Sequence, residues 1–189
     1  MFEHKFGVFG IFVALGVAAC QPASVPPDTP PVENEYITTV KISYQNQADA
    51  TDKGVATWAD LDNNAATPPD TSAAILNLRK SSQYRLEILF LDQTKTPTDT
   101  VSNEVQERAN IHRICITTPT PIGFTATATD YDTNSPAQPL GLKQSVLTDA
   151  SLQNGLMRLK LRHQPSGKDG TCEPGSSDID VRFRVQKAN

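Results

Sequence analysis

The sequence predicts an all-β chain: an antiparallel β-sandwich of immunoglobulin-like architecture, with about eight or nine short strands and one short helix. Three observations carry this. Apolar residues recur with period two in short runs, the pattern of strands buried on one face. Aromatic residues are only 6% of the chain while Thr and Asp are plentiful, which favours strands and turns over helical bundles. Clusters of turn-forming residues separate the runs. The Cys…Trp…Cys spacing of antibody domains is missing, so the likeness is to the architecture alone.

The chain opens as an export signal. Lys5 precedes an apolar run from Gly7 to Ala19, and Val17-Ala18-Ala19-Cys20 closes it as a lipobox. The run is too short to span the ~30 Å of hydrocarbon as a helix, which fits a signal h-region. Residues 1–19 are therefore expected to be removed as a lipoprotein signal peptide. Cys20 then becomes the acylated N-terminus, carrying palmitate-type chains. Residues 20–35 follow as a flexible linker, with Pro22, Pro26, Pro27, Pro30 and Pro31 favouring polyproline II. At ~3.1 Å per residue it reaches up to ~50 Å from the lipid head groups. Residues 36–189 form the single folded domain.

Within that domain, Ile37 to Tyr44 places Val40, Ile42 and Tyr44 on one face, and Val55 to Ala59 does the same with Ala56 and Trp58. Ala74 to Leu78 offers Leu76 and Leu78. Tyr84 to Asp92 turns Tyr84, Leu86, Ile88 and Phe90 inward, and Leu89 and Leu91 on its second face point to a central strand covered on both sides. Asp99 to Asn110 reads as the helix, with Asp99 as cap and Val101, Val105 and Ala109 on one stripe. Strands resume at Ile111 to Thr117, Gly123 to Tyr131 and, more weakly, Leu142 to Leu147. The last two strands put Met157, Leu159, Leu161 and His163 on one face, then Ile179, Val181, Phe183 and Val185. The opposite faces carry Arg158, Lys160 and Arg162, and Asp178, Asp180, Arg182 and Arg184. Antiparallel pairing is expected to set Arg162 near Asp178 or Asp180, making the basic stripe a solvated sheet face.

The net charge of −4 and a pI near 5.3 exclude a protein built to neutralise nucleic-acid phosphates. No Gly-x-Ser-x-Gly elbow, His-Glu-x-x-His or glycine-rich phosphate loop is present, so an enzyme is not expected and the chain offers no catalytic residue. A hydrolase without a recognisable motif is the least favoured reading. Of three cysteines, Cys20 is assigned to lipid, leaving Cys115 and Cys172 as a disulfide candidate in an oxidising compartment. The alternative is a buried strand cysteine and a loop cysteine that never meet.

Two acidic turns could carry chemistry, Trp58-Ala59-Asp60-Leu61-Asp62-Asn63-Asn64 and Asp130-Tyr131-Asp132-Thr133-Asn134-Ser135-Pro136. Alternating Asp and Asn can wrap oxygens around Ca²⁺. The second turn begins like an EF-hand loop, yet Ser135 and Gly141 stand where that loop needs Gly and Glu. Asp and Asn are equally the residues of a plain hairpin turn. His112 and His163 each sit at a strand end in the inward phase. If direction alternates along the chain, the strands ending near Ala59, Asp92, Thr129 and His163 all run one way. Both acidic turns, the helix, His112 and loop 164–177 then share one end of the sandwich. That end could hold a transition metal on His112, His163 and a third ligand, Glu107 or Asp92. The competing reading is two hydrogen-bonded edge histidines, and no other cofactor is expected.

The chain resembles a group of small, functionally uncharacterised lipoproteins of Bacteroidetes-type bacteria. The likeness rests on Asn34-Glu35-Tyr36-Ile37-Thr38-Thr39-Val40, on Trp58 with Asp60 and Asp62, and on Glu104, Glu107 and His112. It continues with Tyr131-Asp132, Pro139-Leu140-Gly141-Leu142, Leu159-Lys160-Leu161-Arg162-His163-Gln164-Pro165 and Asp178-Ile179-Asp180-Val181. It implies an outer-membrane lipoprotein with a compact β domain and no established reaction. The sequence as a whole leads to the expectation of a non-enzymatic binding or accessory module of an outer-membrane complex, with a metal-binding lipoprotein (calcium or transition metal) as the alternative. Its partners would be the membrane, through the N-terminal lipid, and an outer-membrane protein. The group usually has glycine where this chain has Asn63, Asn64 and Ser135, and an aromatic or aliphatic residue at Cys115.

Overall fold

The computed structural model describes residues 35–188, together with Met1. Residues 2–34, with the rest of the expected signal peptide, Cys20 and all but the last residue of the expected linker, lie outside the described residues. No helix among the described residues is long and apolar enough to cross a membrane.

Nine strands form two sheets: β1 (Thr39–Asn46), β2 (Lys53–Ala59), β3 (Ile75–Leu78), β4 (Ser82–Leu91), β5 (His112–Thr117), β6 (Phe124–Ala128), β7 (Lys143–Thr148), β8 (Gly155–His163) and β9 (Ser176–Lys187). The five-stranded sheet has the order β2-β1-β4-β7-β6, the four-stranded sheet β3-β9-β8-β5. This is a β-sandwich with one short helix, α1 (Val101–Glu107). Every pairing is antiparallel except β3 with β9. That parallel pair does not disturb the alternation of direction. Both are odd-numbered strands, and odd-numbered strands all run one way.

The period-two faces form the core. Val40, Ile42, Leu76, Leu78, Tyr84, Leu86, Phe90, Met157, Leu159, Leu161, Phe183 and Val185 are fully buried between the sheets. β4 occupies the centre of its sheet, as its hydrophobicity suggests, but its second face is not covered throughout: Leu89 is exposed while Leu91 is buried. The helix is shorter than its apolar stripe predicts. It ends at Glu107 and passes into a 3-10 turn over Ala109–Ile111. Asp99 does not cap it. The N-cap is Thr100, without a side-chain bond, because Asp99 is drawn into a bridge with Asp92 and an ion pair with Lys95.

The expected pairing of Arg162 is also displaced. A register irregularity between Leu161 and Arg162 sets Arg162 opposite Ser177. Its guanidinium donates to Ser177 Oγ and to the carbonyls of Glu173, Pro174 and Gly175. Arg158 and Lys160 take Asp180 instead. The same irregularity leaves Asp178 without an opposite residue on β8, the signature of a β-bulge, and this reorients its side chain.

A buried histidine-carboxylate centre

Because direction alternates, the starts of β1, β5, β7 and β9 and the ends of β2, β4, β6 and β8 gather at one end. His112 opens β5 and His163 closes β8, and the two are register partners. Their rings stack with centroids 5.1 Å apart and planes 25° from parallel. Asp178 joins them from the β9 bulge. His112, His163 and Asp178 form the one group of three potential metal ligands among the described residues, with ligand atoms within 4.8 Å of one another. Glu35, placed by sequence at the end of the linker, is buried here as well.

The tautomer of His112 follows from its neighbours. Its Nδ1 lies 3.1 Å from the Arg108 carbonyl, which can only accept, so Nδ1 carries the proton. In the neutral ring Nε2 then presents a lone pair. It faces Glu35 Oε1 at 3.1 Å and Asp178 Oδ2 at 3.7 Å. His163 Nδ1 lies 3.8 Å from Asp178 Oδ1. The side chains of His112 and Asp178 are fully buried. A lone pair aimed at two carboxylates is repulsive unless a proton or a cation sits between them.

The titration behaviour reflects that demand. Burial pushes the Asp178 carboxyl up to about 7, with the nearby Glu35 charge adding to it. Burial also raises Glu35, helped by Glu104 and opposed by Arg108. His112 is depressed to about 4 by burial and then by His163 and Arg108, and His163 is depressed by burial and Arg108. Arg108 borders the cluster on its solvent side. Its guanidinium contacts Glu35 at 3.0 Å, the exposed Glu104 at 2.9 Å and His163 Nε2 at 3.4 Å.

The separations suit a metal better than hydrogen bonds. Ligands of a tetrahedral zinc stand ~3.3 Å apart, given bonds of ~2.0–2.1 Å. The 3.1, 3.7 and 3.8 Å gaps bracket that edge and contract onto it with small side-chain movements. Two imidazoles with carboxylates are the donor set of a transition metal rather than of calcium.

The other candidates are engaged elsewhere. Asp92 accepts from Thr94 and pairs with Lys95, and Glu107 is exposed, so neither is the third ligand. The Asp130 turn is not open to Ca²⁺. Asp130 Oδ1 accepts the backbone N–H groups of Gly141 and Lys143. Asp132 accepts from the Asn134 and Gln138 backbone and from Asn134 Nδ2, and the Lys168 ammonium stands 2.9 Å away where a cation would go. Burial would raise Asp132, but the Gln138 N–H, Lys168 and the Asn134 N–H hold it below the ordinary carboxylate range. Cys115 and Cys172 are bridged, with Cα atoms 6.1 Å apart, which ties loop 164–175 to β5.

Sequence reasoning found both histidines through strand phase. It missed Asp178 and Glu35, because a bulge and a buried linker end leave no periodic signal. The chain matches no family model, no curated protein and no solved structure. What defines it is the class its geometry gives: a β-sandwich with a buried histidine-carboxylate centre at one end.

Proposed function

We propose that this chain is a lipid-anchored cell-envelope protein whose β-sandwich holds a transition-metal ion on His112, His163 and Asp178, with Glu35 as fourth ligand. The observation that carries this reading is the His112 Nε2 lone pair, directed in a fully buried setting at two carboxylates. A full set of four protein ligands leaves no open position, as in structural rather than catalytic zinc sites. The protein therefore acts as a non-enzymatic binding or accessory module, its metal fixing the loop-bearing end through which it meets an outer-membrane partner. Export and lipidation rest on Lys5, the Gly7 to Ala19 run and Cys20. The Cys115–Cys172 bridge supports an oxidising compartment, and the resemblance to Bacteroidetes-type lipoproteins agrees with it.

The test is elemental analysis of the purified full-length protein, with thermal melts with and without chelator. About one zinc-class metal per chain and a lower melting temperature on chelation are expected, both lost in His112→Ala and Asp178→Asn. Substoichiometric metal and an unmoved melt would refute the reading.

A further inference from the structure

Away from the histidines, the same end of the sandwich holds a second buried group. Lys168 and Asp132 have no exposed side-chain surface, and Nζ lies 2.9 Å from Oδ2. Lys168 also donates to the Ala109 carbonyl. The Asp132 carboxyl is held from both sides. Oδ1 accepts the backbone N–H groups of Asn134 at 3.0 Å and Gln138 at 2.7 Å, and Oδ2 accepts Asn134 Nδ2 at 2.9 Å. Nearby, Asp130 Oδ2 is buried with no hydrogen-bond partner among the described residues, and its charge is felt at Lys168.

A buried ion pair staples two loops without further apparatus. This one has more: an amine in contact with a carboxyl, two backbone N–H groups on one of its oxygens, a side-chain donor on the other, and, on Asp130, a buried carboxylate oxygen that no donor reaches among the described residues. Those are the parts of an acyl transfer. We propose that Lys168 and Asp132 are joined by an intramolecular isopeptide bond, formed by the protein itself with Asp130 carrying protons.

The step balances without a co-reactant. One ammonium proton of Lys168 passes across the 2.9 Å contact to Asp132 Oδ2, leaving a neutral amine beside a neutral carboxylic acid. The freed Nζ lone pair attacks Asp132 Cγ, forming the C–N bond, and Oδ1 becomes the oxyanion held by the Asn134 and Gln138 N–H groups. A second Nζ proton reaches Oδ2 by way of Asp130. The Cγ–Oδ2 bond then breaks, Oδ2 leaves as water, and the carbonyl re-forms on Oδ1. Nothing is oxidised or reduced. The 2.9 Å contact of Nζ with Oδ2 holds amine and carboxyl side by side, and the effective molarity reaches about 10⁵ M or more once Nζ is aligned on Cγ. Burial lowers the Lys168 pKa and eases the first proton transfer. Exclusion of water from the pair removes the solvent that would favour hydrolysis. The product is a covalent tie between loop 130–139 and loop 164–175, beside the disulfide that anchors the latter.

Peptide mapping of the full-length protein by mass spectrometry, after unfolding, reduction and alkylation, decides the matter. The bond predicts a branched peptide joining the Asp132 and Lys168 segments, one water lighter than their sum. It also predicts no tryptic cleavage after Lys168, because an acylated lysine is not a substrate. Lys168→Arg should yield only linear peptides. Asp130→Asn should fold and show slowed or absent branching. Linear peptides with complete cleavage after Lys168 in the wild-type protein would overturn the proposal. So would a water loss confined to a linear Asp132 peptide, which is a cyclic imide, or a branch at another carboxyl. Wild-type branching in Asp130→Asn would overturn the proton-carrying role.

Discussion

Asp178→Asn should change how stability depends on pH in the metal-free protein. Unfolded, Asp178 ionises near 3.8; folded, it keeps its proton up to about 7. Its contribution to stability is therefore complete at low pH and is lost as pH rises between those values. His112 works in the opposite sense. Unfolded it is protonated below 6.5, but folded it stays neutral down to about 4, so it costs stability as pH falls through that window. At about 1.36 kcal/mol per pH unit for each proton, Asp178 spans roughly 4 kcal/mol and His112 roughly 3 kcal/mol. Between about pH 4 and pH 6.5 the two slopes cancel, because one proton is held in either state, on His112 when unfolded and on Asp178 when folded. Glu35, raised, and His163, lowered, add opposed contributions of the same two kinds. Urea unfolding across this range in chelator should give near-constant stability for the wild type. In Asp178→Asn the His112 slope is unmasked, and stability should climb by roughly 3 kcal/mol from about pH 4 to pH 6.5. A variant whose profile stays as flat as the wild type would show that these groups do not share the proton, and the reasoning would fail.

Other perturbations test other parts of the fold. Cys115→Ser with Cys172→Ser opens a link between residues 57 apart in sequence and should cost roughly 4 kcal/mol by loop entropy, seen as a lower denaturation midpoint. Tyr84→Phe removes a buried hydroxyl that donates to Asp52 at 2.6 Å and accepts the Arg79 N–H at 2.8 Å, a loss of about 1–3 kcal/mol in chemical denaturation. Gly175 has φ +79°, and an added Cβ would meet the His163 carbonyl oxygen; Gly175→Ala should therefore distort the β8–β9 junction and weaken zinc binding in calorimetric titration. Leu159→Ala, at the fully buried centre of β8, should cost about 2–5 kcal/mol and leave metal stoichiometry unchanged.

The sandwich was legible because most strands bury one face, so Val40, Ile42 and Tyr44, or Met157, Leu159 and Leu161, announce both strand and orientation. Alternating direction also placed the loops at one end, since each strand runs opposite to the one before it even where the connection is long or crosses between sheets. The helix boundary was less legible: Ala109 continues the apolar stripe while the chain has already tightened into a 3-10 turn. The centre was half legible. His112 and His163 lie in the inward phase of regular strands, whereas Asp178 sits in an outward phase beside Asp180 and Arg182 until the bulge turns it inward. Nothing local in Ser177-Asp178-Ile179 specifies that bulge. It follows from the Arg162 guanidinium being wrapped by the carbonyls of Glu173, Pro174 and Gly175, a tertiary arrangement. Glu35 was obscured by the prolines before it. The Asp130 turn shows the converse: its residues suit calcium, but Lys168, distant in sequence, fills the cation position.

The most direct test of the central claim is zinc-edge X-ray absorption on the full-length protein loaded with one equivalent of zinc. The account predicts a four-coordinate shell of two imidazoles and carboxylate oxygens at ~2.0–2.1 Å, with one imidazole lost in His163→Ala and one oxygen in Asp178→Asn. A shell of water and carboxylate oxygens without imidazole, or one indifferent to both substitutions, would contradict it.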